Sequence, residues 1–224
     1  MFHRTVMSRY GHGFIALFLS CALYGEPFAS TNGEEGSPRE RIIPILGVTI
    51  SGGGQPIGTV TSLTLTFQER TDHRGLMVSF LRGPGKLSPM AQTSIQQAIY
   101  RAASAAGLST DAWTVTIAVP QPVTIYGDSL SAMVGLTVTA LAKHDSIMDD
   151  RIITGGIAPD GHISKTGGLS YKLAAANAAH IRRVLVPDVL DPEEAEWQTP
   201  FLMHVSPVES VQQAYQVLTG NPIQ

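Results

Sequence analysis

From about Arg41 onward the chain switches repeatedly between two apolar rhythms, one with β-branched residues at every second position and one with three- and four-residue spacing. The first buries one face of a strand and the second one face of a helix, so a chain that alternates them must stack helices on sheet around a shared core. PILGVTIS (44–51) and IGTVTSLTLTFQ (57–68), separated by SGGGQP, predict an antiparallel pair, and GLMVSFL (75–81) a third strand. Ser88 followed by Pro89 supplies an N-cap and the residue best tolerated in a first helical turn, which predicts a helix to about Ala106 with Gly107 as its stop. WTVTIAVP (113–120) reads as strand, 129–143 as a helix with Ala132, Met133, Leu136 and Ala140 on one face, and RIITGGI (151–157) as strand again. A turn at Asp160–Gly161, a helix near 169–180, a strand at 183–187, a short strand near 201–205 and a helix near 208–218 complete an α/β or α+β sandwich that begins with a run of strands.

Composition narrows the function classes. With 43% hydrophobic and 15% charged residues and a mean hydropathy of +0.10, residues 41–224 can form one core and are not a disordered segment. A net charge of −3 offers no broad basic surface, so nucleic acid is not an expected partner. Cys21 is the single cysteine, which excludes an internal disulfide and a CxxC site. There is no HExxH and the seven histidines are scattered, so neither a metal nor a cofactor is expected. GPGKLS (83–88) lacks the first glycine of a phosphate loop and has Leu87 where a hydroxyl must meet Mg²⁺, so it reads as a turn before the capped helix. His144, Asp145 and Ser146 with Asp149 and Asp150 read as a solvated loop.

The first segment reads as an address. Residues 1–13 carry Arg4 and Arg9 and no acid, an 11-residue apolar run follows from Phe14 to Tyr24, and Ser20, Ala22 and Gly25 are small exit residues, which predicts a secretory signal over 1–25. The run is well short of the roughly 20 residues that span a bilayer, and Phe18-Leu19-Ser20 before Cys21 fits a lipoprotein signal poorly. Residues 26–40 are polar and rich in Gly, Pro and Ser, a linker to the domain at 41–224. The expected location is an exported one, periplasmic or extracellular.

Chemistry concentrates at YGDSLSAMVGL (126–136), where Ser129 stands at the passage from loop to helix. Free backbone N–H groups and the positive end of the helix dipole gather at such a point and suit an oxyanion, although Asp128 or Ser129 would serve equally well as a plain N-cap. Ser131, two residues on, is rotated about 200° away from whatever Ser129 faces. A serine nucleophile needs a base. Of the four lysines, Lys172 lies in the most apolar helix, with Leu169, Ala175 and Ala176 at three- and four-residue spacing, where desolvation favours the neutral amine; the alternative is a lysine that snorkels to water.

At this pair the chain resembles the proteolytic domain of the Lon proteases, the Ser–Lys dyad peptidases of family S16. GDSLSA (127–132) is similar to the serine motif of the membrane-type archaeal branch, TGGI (154–157) to its TG strand, and GGLSYKLAAANAAHIRRVLVP (167–187) to the lysine helix and the strand after it. The 43-residue separation of Ser129 and Lys172 fits the family register and selects Ser129 over Ser131. GPGKLSPMAQTSIQQAIYRAA (83–103) is similar to the segment that opens the family's first long helix, and together the matches cover most of 45–220. The resemblance implies an α/β (α+β) Lon proteolytic domain of the ribosomal protein S5 domain 2-like kind, with Ser129 as nucleophile, Lys172 as general base and later acid, and Thr154 orienting Lys172. It also implies an oxyanion hole of backbone N–H groups around Ser129, with Asp128 shaping the loop, and a homo-oligomer, the hexameric ring being the family's common form.

Two departures accompany the matches. No ATPase module is recognisable in these 224 residues, and Gly156 stands where the soluble bacterial branch has an acid. The expected activity is therefore ATP-independent serine endopeptidase cleavage of unfolded or flexible polypeptides, aided by a partner that presents them. The alternative is a non-catalytic Lon-fold scaffold or binding module.

Overall fold

The computed structural model of the chain describes residues 36–190 and 199–224. The predicted signal at 1–25 and most of the predicted linker lie outside the described residues. Strand β1 (Arg39–Ile50) begins two residues before the expected domain start and pairs antiparallel with β2 (Pro56–Glu69) along its whole length, from Arg39↔Phe67 to Ile50↔Pro56. Strand β3 (Met77–Phe80) lies beyond β5 (Trp113–Ala118), giving a four-stranded sheet in the order β1-β2-β5-β3, with β2 and β5 antiparallel and β5 and β3 parallel. Alternation along β5 buries Trp113, Val115 and Ile117, and Trp113 meets Phe67 of β2 edge-on at 5.3 Å between ring centroids.

Helix α1 (Pro89–Ala105) starts as its sequence predicts: the Ser88 hydroxyl accepts from the Ala91 N–H, and Pro89 occupies the first turn. Its buried residues, Ala91, Ile95, Ala98, Ile99, Ala102 and Ala103, form one stripe that packs on helix α2 (Ser131–Lys143). Burial of α2 extends over every residue from Ser131 to Ala140, well beyond the single predicted face, because α1 covers one side and the sheet covers another. The hydroxyls of Thr137 and Thr139, buried there, donate to the carbonyls of Met133 and Gly135.

A second, parallel sheet, ordered β11-β10-β7, joins β7 (Arg151–Ile153), β10 (Arg183–Pro187) and β11 (His204–Val208). Two small sheets complete the strands. Strand β4 (Lys86–Leu87) pairs parallel with β6 (Thr124–Ile125), so the GPGKLS segment, expected as a turn alone, ends in a short strand. Strands β8 (Gly156–Ile157) and β9 (Ile163–Ser164) form a hairpin around the Asp160–Gly161 turn. Helix α3 (Leu169–Ala178) packs on β2, and α4 (Val211–Thr219) is capped by Ser210 and closed by Gly220. The expected single strand at 151–157 is thus two strands in two sheets, interrupted at Thr154 and Gly155. The expected strand near 201–205 is displaced to His204–Val208. Among the described residues no helix is long and apolar enough to cross a membrane.

Candidate active site

Ser129 lies in the turn between β6 and α2. Helix α2 begins at Ser131, two residues later than its spacing predicts; Leu130 holds the N-cap position without a side-chain hydrogen bond, so neither Asp128 nor Ser129 is spent on capping. The turn is fixed by backbone bonds instead. Ser131 N–H donates to Asp128 O at 2.8 Å, Gly155 N–H to Ser129 O at 2.7 Å, and Ala132 N–H to Gly155 O at 3.1 Å. Those last two bonds fasten the serine turn to the Thr154–Gly155 break between β7 and β8, which explains why a strand-like sequence leaves its sheet there. Gly155 makes the departure with φ +138°, a conformation that residues bearing a Cβ rarely adopt.

Lys172 lies in the first half of α3 and is 3% exposed, buried on the same helix as Leu169, Leu173 and Ala176. The snorkelling alternative is not the one observed. The amine Nζ lies 3.0 Å from Ser129 Oγ and 3.2 Å from Thr154 Oγ1, and it is also hydrogen-bonded to Thr166 Oγ1. Thr154, 1% exposed, is held through its own N–H on the Leu185 carbonyl of β10 at 3.0 Å, and its Oγ1 lies 3.2 Å from Thr166 Oγ1. All three residues selected from sequence therefore meet around one amine, from three separate segments of chain. Ser131 is buried but lies on the Gly156 side, its Oγ 3.4 Å from where a Gly156 Cβ would stand.

Two close approaches set this geometry. A Cβ at Gly58 of β2 would overlap the carbonyl of Tyr171, the residue before Lys172, so the helix that carries the amine is seated against bare backbone. A Cβ at Gly156 would stand 2.5 Å from Ser164 Oγ, which accepts from the Gly156 N–H at 3.1 Å, so a side chain at this position would have to displace that hydroxyl.

Thr166 is the site residue that sequence reasoning missed. It is 6% exposed and lies in the loop between β9 and α3, just ahead of Gly167 and Gly168. A loop hydroxyl has no periodicity to betray it, and its only signal was its place before the glycine pair that opens the lysine helix.

This arrangement can move a proton between a serine hydroxyl and an amine out of bulk water. Burial disfavours a charged amine, and hydroxyl neighbours can accept from the ammonium and can either accept from or donate to the neutral amine. No carboxylate relay is needed for that exchange. Among the described residues no group of three or more His, Cys, Asp or Glu side chains is placed to hold a metal ion.

Residues 76–218 match the family model of the Lon protease (S16) C-terminal proteolytic domain, a span that contains Ser129, Thr154, Thr166 and Lys172. No curated protein matches the sequence significantly.

Proposed function

The chain belongs to the Lon protease (S16) proteolytic-domain family, and from that premise we propose that it is an ATP-independent serine endopeptidase acting on unfolded or flexible polypeptides through a Ser129–Lys172 dyad. The observation that carries this reading is the buried Lys172 amine at 3.0 Å from the Ser129 hydroxyl oxygen. Neutral Lys172 takes the proton of Ser129 as Oγ bonds to the substrate carbonyl carbon, and the negative charge that forms on the carbonyl oxygen is met by backbone N–H groups at the turn entering α2. The ammonium then returns the proton to the leaving amine, and the same cycle with water in place of Ser129 frees the acyl group. Thr154 orients the amine throughout. A positioned base of this kind contributes about 10²- to 10⁴-fold to the rate.

The charge order of residues 1–25 supports export, to the periplasm or the outside of the cell. Without nucleotide-driven unfolding, access favours chains that are already extended, supplied where needed by a presenting partner. A homo-oligomer, in the hexameric form common in the family, is part of the same proposal. The test is cleavage of casein or a fluorogenic peptide by purified residues 31–224 without nucleotide, beside Ser129→Ala. Hydrolysis lost in the variant alone is expected. Equal hydrolysis in both would overturn the dyad, and silence from a folded wild type would favour the scaffold reading.

A further inference from the structure

The Lys172 amine has two threonine hydroxyls beside it, and the mechanism proposed above uses one. We propose that Thr166 is a second positioning residue for the general base, taking one N–H of the neutral Lys172 amine while Thr154 takes the other, so that the lone pair points at the Ser129 hydroxyl. The proposal rests on the Ser–Lys reading above and adds to it how the base is aimed.

The count of hydrogens supports this assignment. A neutral amine carries two N–H bonds and one lone pair. With an N–H on each threonine oxygen, the lone pair is left facing Ser129 Oγ at 3.0 Å, the orientation that accepts the serine proton. When that proton moves, the Ser129 O–H bond breaks as a third N–H forms. The two bonds to threonine persist unchanged, so nothing around the base has to reorganise during the transfer. The Oγ1–Oγ1 separation of 3.2 Å lets one threonine donate to the other, which keeps both oxygens turned as acceptors toward the amine.

The fold gives the two threonines different anchorages. Thr154 belongs to the serine side, since its neighbour Gly155 is bonded to the Ser129 carbonyl and its own N–H to Leu185. Thr166 belongs to the lysine side, two residues before Gly168, whose carbonyl accepts from the Lys172 N–H at 3.0 Å. Their contact couples the element that carries the nucleophile to the element that carries the base. Both side chains are almost fully enclosed, as a purely solvated hydroxyl would not be.

The experiment compares Thr166→Val with Thr166→Ser in the purified protein, reading kcat and KM on a fluorogenic peptide across pH, with Ser129→Ala and Lys172→Ala in parallel. A hydrogen bond to a charged group is worth about 1.5–3 kcal/mol, roughly a tenfold to hundredfold effect. Thr166→Val is therefore expected to lose kcat by about that factor with KM held within about twofold. Removing an acceptor from the ammonium disfavours the charged form, so the acid limb of kcat should move to lower pH by about one unit. Thr166→Ser should restore kcat to within about threefold of wild type. The Lys172 Cε signal in ¹³C-lysine NMR, tractable with four lysines, should titrate at lower pH in Thr166→Val, a reading that does not depend on turnover. If Thr166→Val does not fold, Thr166→Ala takes its place against Thr166→Ser. Wild-type kcat and an unmoved limb in Thr166→Val, or an equal loss in Thr166→Ser, would overturn the proposal. Hydrolysis that survives Ser129→Ala and Lys172→Ala would instead overturn the peptidase reading on which it rests.

Discussion

Helix α2 meets a lysine near each end, and the two are held by opposite chemistry. At its start the amine of Lys172 faces the hydroxyls of Ser129, Thr154 and Thr166. At its end the amine of Lys143 is bonded to the carbonyls of Pro222, at 3.3 Å, and Ile223, and lies 5.6 Å from the centre of the Tyr215 ring. Carbonyl oxygens only accept and an aromatic face attracts a cation, so both kinds of neighbour suit a donor that carries positive charge. The hydroxyls around Lys172 fit either form. The C-terminal half of α2 also borders a cavity of about 340 Å³ with Arg39, Arg41 and Asp145 on its walls. Asp145 there accepts from the Tyr215 hydroxyl at 2.6 Å, and burial together with that carboxylate pushes the phenol well above its usual range. What sets the Ser129 end apart is a buried amine within hydrogen-bond reach of three hydroxyls.

The contrast is broken most strongly by exchanging the groups themselves. Lys172→Ala and Ser129→Ala should each reduce peptide hydrolysis by about a thousandfold or more, and Lys172→Arg, which cannot lose its proton, should be as poor; circular dichroism should still report a folded chain. A smaller effect is expected at Gly58, where a methyl group would force the Lys172 helix off β2: Gly58→Ala should cost about 1–3 kcal/mol in urea denaturation and lower kcat along with stability. Lys143→Met should lose about 1 kcal/mol of stability yet leave kcat/KM and its pH profile unchanged. A change in that profile would mean that the two ends are not separate. The smallest effect concerns His162, whose ring sits between Asp160 and Glu209; Asp160 first, then Glu209, raise its pKa and so favour its charged form. Its protonated form adds stability below about pH 6.5, and that contribution fades as pH rises through the raised value. The Tm advantage of wild type over His162→Gln should accordingly shrink between pH 5 and pH 9.

Much of this was legible in the chain. Period-two runs placed β1, β2 and β5, and the Ser88–Pro89 start of α1 was readable because capping is local chemistry that needs no tertiary partner. Two of the departures occur where tertiary bonds outcompete local ones. Helix α2 starts late because the Ser129 hydroxyl is drawn to Lys172 instead of the helix end, and the 151–157 strand splits because Gly155 is bonded to the serine turn. The β4–β6 pair escaped because two-residue strands have no period to read. Within the site, Ser129, Lys172 and Thr154 could be selected because they lie in recognisable motifs, whereas Thr166 emerges only when a loop folds over the amine.

The measurement that reaches the central claim most directly is the position of the covalent intermediate. Wild type and Lys172→Ala would be mixed with an activated peptide ester, quenched in acid within a turnover, and mapped by mass spectrometry. The account predicts the acyl group on Ser129 in the wild type and little or none in Lys172→Ala. An acyl group on another residue, or equal acylation of Ser129 without the lysine, would contradict it.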